Sequence, residues 1–240
     1  MEQVCIAAFD LRDDDLIKEC LNELETKFPN SLRVLRLKTM GKLEVRERYD
    51  DAIPQYNKLI KNDESNALSY KRRVAILIAE LRTGDAIKEL TEYLKLFMND
   101  QEAWMELCDL YIDEQEYQKA AFCMEEVILA NPYNHFYYER YATIQYTINT
   151  PDSLELARSY YAQAVRLNSS NVRALYGLIL ANNSLANLPK CASQKRKEYS
   201  RLASWASVQL SKLYQDSSND DDKINSLETM ISNLQINSAT

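Results

Sequence analysis

The sequence predicts an all-α fold, a right-handed α-solenoid of stacked helix hairpins closed by a C-terminal capping helix, and three observations predict it. Glycine and proline, which tight turns and strand punctuation consume, number only 3 and 5 in 240 residues. A hydrophobic fraction of 46% with charged residues at 27% gives enough apolar material for a core and enough polar material for the outer faces of helices. Alanines with a large residue a few positions away recur at Ala52, Ala86 and Ala120, each 34 residues after the last, and again at Ala157 after a slip of three.

Thirty-four residues is the tetratricopeptide period, in which one hairpin of two helices cannot bury its apolar face alone and does so against its neighbours. In chain order, residues 1–11 read as the remains of a first helix, and 15–28 (DLIKECLNELETKF) as the second helix of the same unit. The chain is thus expected to begin inside a repeat, with upstream residues or a partner covering that end. Residues 33–66 form the next unit, marked by Tyr49, Ala52 and Tyr56, with Pro54 early in its second helix, where a missing amide is tolerated. Residues 67–100 follow, with Tyr70, Leu77, Ala86, Leu90 and Tyr93 in register.

The clearest copy is 101–134. There Trp104, Leu107, Cys108 and Tyr111 occupy the fourth, seventh, eighth and eleventh places, and Ala120 and Pro132 the twentieth and thirty-second. The large residues make one apolar stripe at helical spacing, the small ones let the two helices approach, and Asn131-Pro132 stops the second helix. Residues 135–169 carry Tyr138, Tyr141 and Ala142, then a longer turn at Asn149-Thr150-Pro151-Asp152 that explains the slip. A sixth unit starts near Ser170 with Tyr176, Gly177 and Leu180 at repeat places, and its long second helix runs from about Cys191 to Tyr214. The repeat region is therefore 1–214. An acidic linker, 215–222, and a C-terminal helix and tail, 223–240, complete the chain, the helix being read from Ile224, Leu227, Ile231 and Leu234.

Several function classes recede on composition. A net charge of −7 with scattered lysines and arginines repels phosphate backbones, so nucleic acid is not expected as a partner. Five cysteines without CxxC spacing, lying among apolar residues, read as reduced packing thiols. The longest apolar stretch, 74–81, is interrupted by Glu80 and followed by Arg82, so no membrane span is expected, and the first fifteen residues lack the basic leader of a secretory signal. One histidine, His135, speaks against a multi-histidine metal site, and no HExxH, GxGxxG, GxSxG or Walker pattern occurs. Cys108 or Cys123 with His135 would make a nucleophilic pair, but both thiols lie in the packing register. No catalytic residue, metal, cofactor or small-molecule substrate is expected.

Stacks of this kind bind other polypeptides along the wall lined by their first helices. The non-packing second, fifth, ninth, twelfth and thirteenth places give Leu68, Lys71 and Ile78; Glu102, Met105, Asp109 and Asp113; Phe136, Glu139, Thr143 and Tyr146; and Asn171 and Asn182. An acidic middle with apolar neighbours is expected to receive a neutral or basic, partly apolar segment. The lysine and asparagine clamp with which some tetratricopeptide co-chaperones hold a chaperone tail is incomplete: Lys71 fills one place, but Ala75 and Glu106 stand where asparagines belong. A co-chaperone or peptide-binding adaptor is accordingly the second choice.

Five segments, RYDDAI at 48–53, DQEAW at 100–104, KAAFCMEE at 119–126, RALYGL at 173–178 and ASWA at 203–206, give the chain a closer likeness. Over almost its whole length it resembles the tetratricopeptide subunits, subunit 2, of the endoplasmic reticulum membrane protein complex. That resemblance implies a non-enzymatic scaffold, peripheral on the cytoplasmic side of the endoplasmic reticulum membrane. It would hold cytosolic segments of membrane-embedded subunits together with a globular cytosolic subunit, in a machine that inserts transmembrane and tail-anchored proteins.

Overall fold

The computed structural model describes residues 1–189, 191–217 and Thr229. Among the described residues there are twelve α-helices and no strand. They fall into two compact units, Met1–Asp100 and Gln101–Thr240. The first unit holds α1 (Glu2–Leu11), α2 (Asp14–Lys27), α3 (Leu32–Thr39), α4 (Tyr49–Asn62), α5 (Ala67–Ala79) and α6 (Thr83–Leu96). The second holds α7 (Gln101–Asp113), α8 (Tyr117–Ala130), α9 (His135–Ile148), α10 (Pro151–Leu167), α11 (Val172–Ala186) and α12 (Ser193–Ser217). Odd-numbered helices are the first helices of hairpins and even-numbered ones the second.

The repeat is written in the backbone of the turns. Inside five successive hairpins the chain passes through the left-handed region at Arg12, Glu47, Leu81, Gln115 and Asn149, none of them glycine. In four of these turns a backbone N–H reaches the carbonyl five residues back: Asp13 to Ala8, Arg48 to Leu43, Arg82 to Leu77 and Glu116 to Tyr111. This bond satisfies one of the carbonyls that a helix end leaves open. Helix starts are fixed by short polar side chains. Asn66, Asn134 and Asn171 each accept a backbone N–H at the start of α5, α9 and α11, and Thr150 with Ser153 forms a capping box ahead of α10.

Ala52, Ala86, Ala120 and Ala157 are all fully buried where the second helix meets the first, and Leu107 and Cys108 are buried on the facing helix. Trp104 is half-buried, its ring edge-on to Phe122 at 6.1 Å between centroids. Tyr56 and Tyr93 are fully buried, so these tyrosines serve as core. Each such large side chain contributes about 1.5–3 kcal/mol by leaving water.

Three expectations need correction. The register of the sixth unit is displaced by two residues. Asn171 is its N-cap, as Asn66 and Asn134 are in theirs, so the unit opens at Val172. The packing places then fall on Leu175, Leu178, Ile179 and Asn182, all buried, while Tyr176 and Leu180 are only half-buried. The three-residue slip at the Asn149 turn pushes the next start later. The linker does not begin at Gln215, because α12 continues through Ser217; glutamine, aspartate and serine give a helix no reason to stop there. Cys191 likewise precedes α12, which starts at Ser193. The predicted capping helix falls on 223–240, which apart from Thr229 lie outside the described residues.

Candidate protein-binding surface

In the first unit α5 carries the three predicted contact residues. Leu68 is exposed and Ile78 half-buried. Lys71 is also half-buried, with its Nζ 2.7 Å from the Asp100 carboxylate. An ammonium held by a carboxylate of its own unit is a poor anchor for the acidic tail of a chaperone.

The first unit also holds a polar centre that sequence reasoning missed. After α3 the chain widens into a π turn, Met40–Glu44, and Gly41 lies so close to Phe9 that a Cβ would stand 2.7 Å from its ring. The turn directs the buried Glu44 inward, where Tyr56 donates its phenol hydrogen and Arg72 of α5 places its guanidinium on both carboxylate oxygens. Burial and the adjacent carboxylate push the Tyr56 phenol far above its usual range. Burial is the largest influence on Arg72 and opposes its charge, but the hydrogen bonds and charge of Glu44, with Tyr56, together outweigh it and raise the pKa. Glu44 and Arg72, with Ile6, Phe9, Arg12 and Tyr49, line a cavity of about 300 Å³. No periodicity announces a contact between residues 28 apart, as Glu44 and Arg72 are.

In the second unit α7 presents Glu102, Asp109 and Asp113 to solvent, with Met105 half-buried. On α9, Phe136 is exposed beside the His135 ring, 4.0 Å between centroids, and Glu139 is half-buried. Arg140 of α9 pairs with Asp109 of α7, so the outward rows of these two first helices are neighbours. Arg140 was outside the predicted set because its register place is not among those usually turned to a ligand. Thr143 is exposed, yet its hydroxyl donates to the Glu139 carbonyl at 2.9 Å and lies 3.0 Å from the Tyr161 hydroxyl. Tyr146 is half-buried against the core, its hydroxyl 3.3 Å from that of Ser184.

Asn171 and Asn182 do not belong to this surface, a direct consequence of the displaced register. Asn171 is buried as the α11 N-cap and its Nδ2 lies 2.9 Å from His135 Nδ1. Asn182 is fully buried and donates to the Leu178 carbonyl at 2.7 Å, while its Oδ1 finds no hydrogen-bond donor among the described residues.

The thiols considered as nucleophiles are core groups. Burial pushes Cys108 up to about 11 and Cys123 up to about 12, and Cys5 in the first unit up to about 11. His135 is occupied with Asn168 and Asn171, one on each ring nitrogen. Among the described residues no cluster of histidine, cysteine and acidic side chains has the makings of a metal site, and no helix is long and apolar enough to cross a membrane.

Comparison with known proteins shows what the chain is similar to. Residues 23–160 match a family model described as the EMC2 TPR-like repeat domain. ER membrane protein complex subunit 2 of Xenopus tropicalis is 45% identical over 239 residues, 98% of this chain and 80% of the relative. The protein of the same name in Dictyostelium discoideum is 32% identical, over 98% of this chain and 76% of its own length. Among solved structures, a MamA RS-1 double mutant superposes with a TM-score of 0.58 at 15% identity, covering 80% of this chain and 98% of that one. A Pseudomonas aeruginosa pilF structure gives 0.54 at 18% identity, covering 89% of this chain and 90% of that one. Those two likenesses are of fold alone. The family model covers more than half the chain, and the sequence kinship runs nearly end to end, so this chain belongs to the family of ER membrane protein complex subunit 2.

Proposed function

We propose that this chain is a subunit of an ER membrane protein complex and acts there as a non-catalytic scaffold. In this reading it sits peripherally on the cytoplasmic side of the endoplasmic reticulum membrane, attached through protein partners. It holds cytosolic segments of membrane-embedded subunits, together with a globular cytosolic subunit, for the insertion of transmembrane and tail-anchored proteins. The observation that carries the reading is the paired outward rows of α7 and α9. Exposed carboxylates at Glu102 and Asp113, with Asp109 held by Arg140 of the neighbouring helix, share these rows with Met105 and Phe136. Such a face suits a neutral or basic, partly apolar segment, because the carboxylates select charge while the apolar side chains supply contact area. Leu68 and Ile78 of α5 offer a second, apolar contact in the first unit.

Affinity purification of the tagged chain from cells in mild detergent tests the reading. The expected result is a stoichiometric assembly containing membrane-embedded subunits. Recovery of chaperones or soluble proteins alone would overturn it in favour of an adaptor.

A further inference from the structure

The outer face of α12 carries five residues in a single row: Lys197, Arg201, Trp205, Val208 and Lys212. Their spacing of four, four, three and four keeps them on one side of the helix along about 22 Å. All five are exposed, Trp205 at 46% and Val208 at 52% of their surface. None of the three cations has a carboxylate partner among the described residues, whereas Lys119, Arg140, Arg158 and Lys195 of the same unit each have one. Glu198, the acid next to Lys197 on the helix, is within 3.8 Å of Arg158.

An exposed tryptophan and valine between unpaired cations is an unusual stretch of surface in a chain of net charge −7. Tryptophan and arginine are the side chains that most often carry binding energy at protein interfaces. Cations at both ends of the row would recruit an acidic partner that the rest of the molecule repels.

We propose that this row docks an acidic amphipathic helix of another polypeptide. Its apolar stripe covers Trp205 and Val208, and its carboxylates meet Lys197 and Arg201 at one end and Lys212 at the other. A straight row on one helix face, with apolar residues at its centre, fits a helix of about four turns better than a compact anion. The contact is separate from the α7 and α9 rows and does not depend on which assembly holds the chain.

The test places the photoreactive residue benzoylphenylalanine at position 205 of the full chain in cells, with irradiation and identification of the adduct by mass spectrometry. The expected adduct lies in another polypeptide, in a segment with net negative charge and leucine or isoleucine at helical spacing. Its yield should fall at least tenfold in the exposed double variant Arg201→Glu/Lys212→Glu, with the helical circular dichroism unchanged. No adduct, an adduct to lipid, to residues 218–240 of the chain itself or to a neutral or basic segment, or a yield indifferent to charge reversal would each overturn the proposal.

Discussion

Gly177 lets α11 lean on α10 so closely that a Cβ in its place would stand 2.2 Å from the Tyr161 ring. Gly84, in the first turn of α6, has nothing within 4 Å of the same position. The two glycines thus predict opposite outcomes for one substitution. Gly177→Ala should destabilise by about 1–3 kcal/mol through overpacking, and Gly84→Ala should be neutral or gain up to about 1 kcal/mol by helix propensity. Urea unfolding midpoints measure both. Residues of this kind show what sequence can and cannot disclose. The fully buried Ala52, Ala86, Ala120 and Ala157 were legible because small side chains at a fixed period have one geometric use. Glu44 was not, since its place depends on a π turn and on partners from two other helices. Asn171 and Asn182 were misplaced because a count of residues ran through a turn longer than the repeat allows. The asparagine caps at Asn66 and Asn134 held the information that would have reset it.

Helix boundaries were well marked where chemistry marks them. Asparagine caps, the Thr150 capping box and proline before or after a helix all point to the ends that the structure has. The end of α12 has no such marker, and the helix outruns the boundary drawn from composition. How α12 is tied to α10 is also a matter of side chains at long sequence separation. Glu155 of α10 accepts the Tyr199 hydroxyl of α12, pairs with Arg158 at 3.0 Å and lies 3.9 Å from Lys195. Burial alone would raise its pKa, but the hydrogen bonds from Tyr199 and Arg158 and the nearby cations bring it below the ordinary carboxylate value of 4.5. A group whose folded pKa is depressed stabilises fully above its unfolded pKa, and that stability is lost as pH falls through the folded value. Glu155→Gln should therefore cost on the order of 1 kcal/mol at neutral pH, the partial exposure of the site limiting the effect. The difference from the unsubstituted chain should narrow as pH falls below the ordinary carboxylate value of 4.5 and close once it passes the lower folded value. Thermal melts of both proteins at pH 7 and pH 3.5 check the sign.

At the scale of the molecule, the pattern of paired helices was the most legible feature, because every unit repeats the same division between packing and outward places. Five left-handed turn residues confirm in the backbone what the alanines announced in the sequence. Charge was informative in sum but not in detail. A net −7 spoke against nucleic acid, yet Lys71 is engaged with Asp100, Asp109 is engaged with Arg140, and a cationic row stands open on α12. The pairing of long side chains across neighbouring helices decides which charges face a partner, and only three-dimensional adjacency settles that.

The outward rows of α7 and α9 are the surface proposed to grip other polypeptides. Charge reversal of Glu102 and Asp109 to lysine, followed by quantitative recovery of co-purifying membrane subunits in mild detergent, addresses it most directly. Recovery should fall at least tenfold while the melting temperature of the purified chain changes by no more than a few degrees, as expected for substitutions at exposed sites. Undiminished recovery of the same subunits would contradict the account.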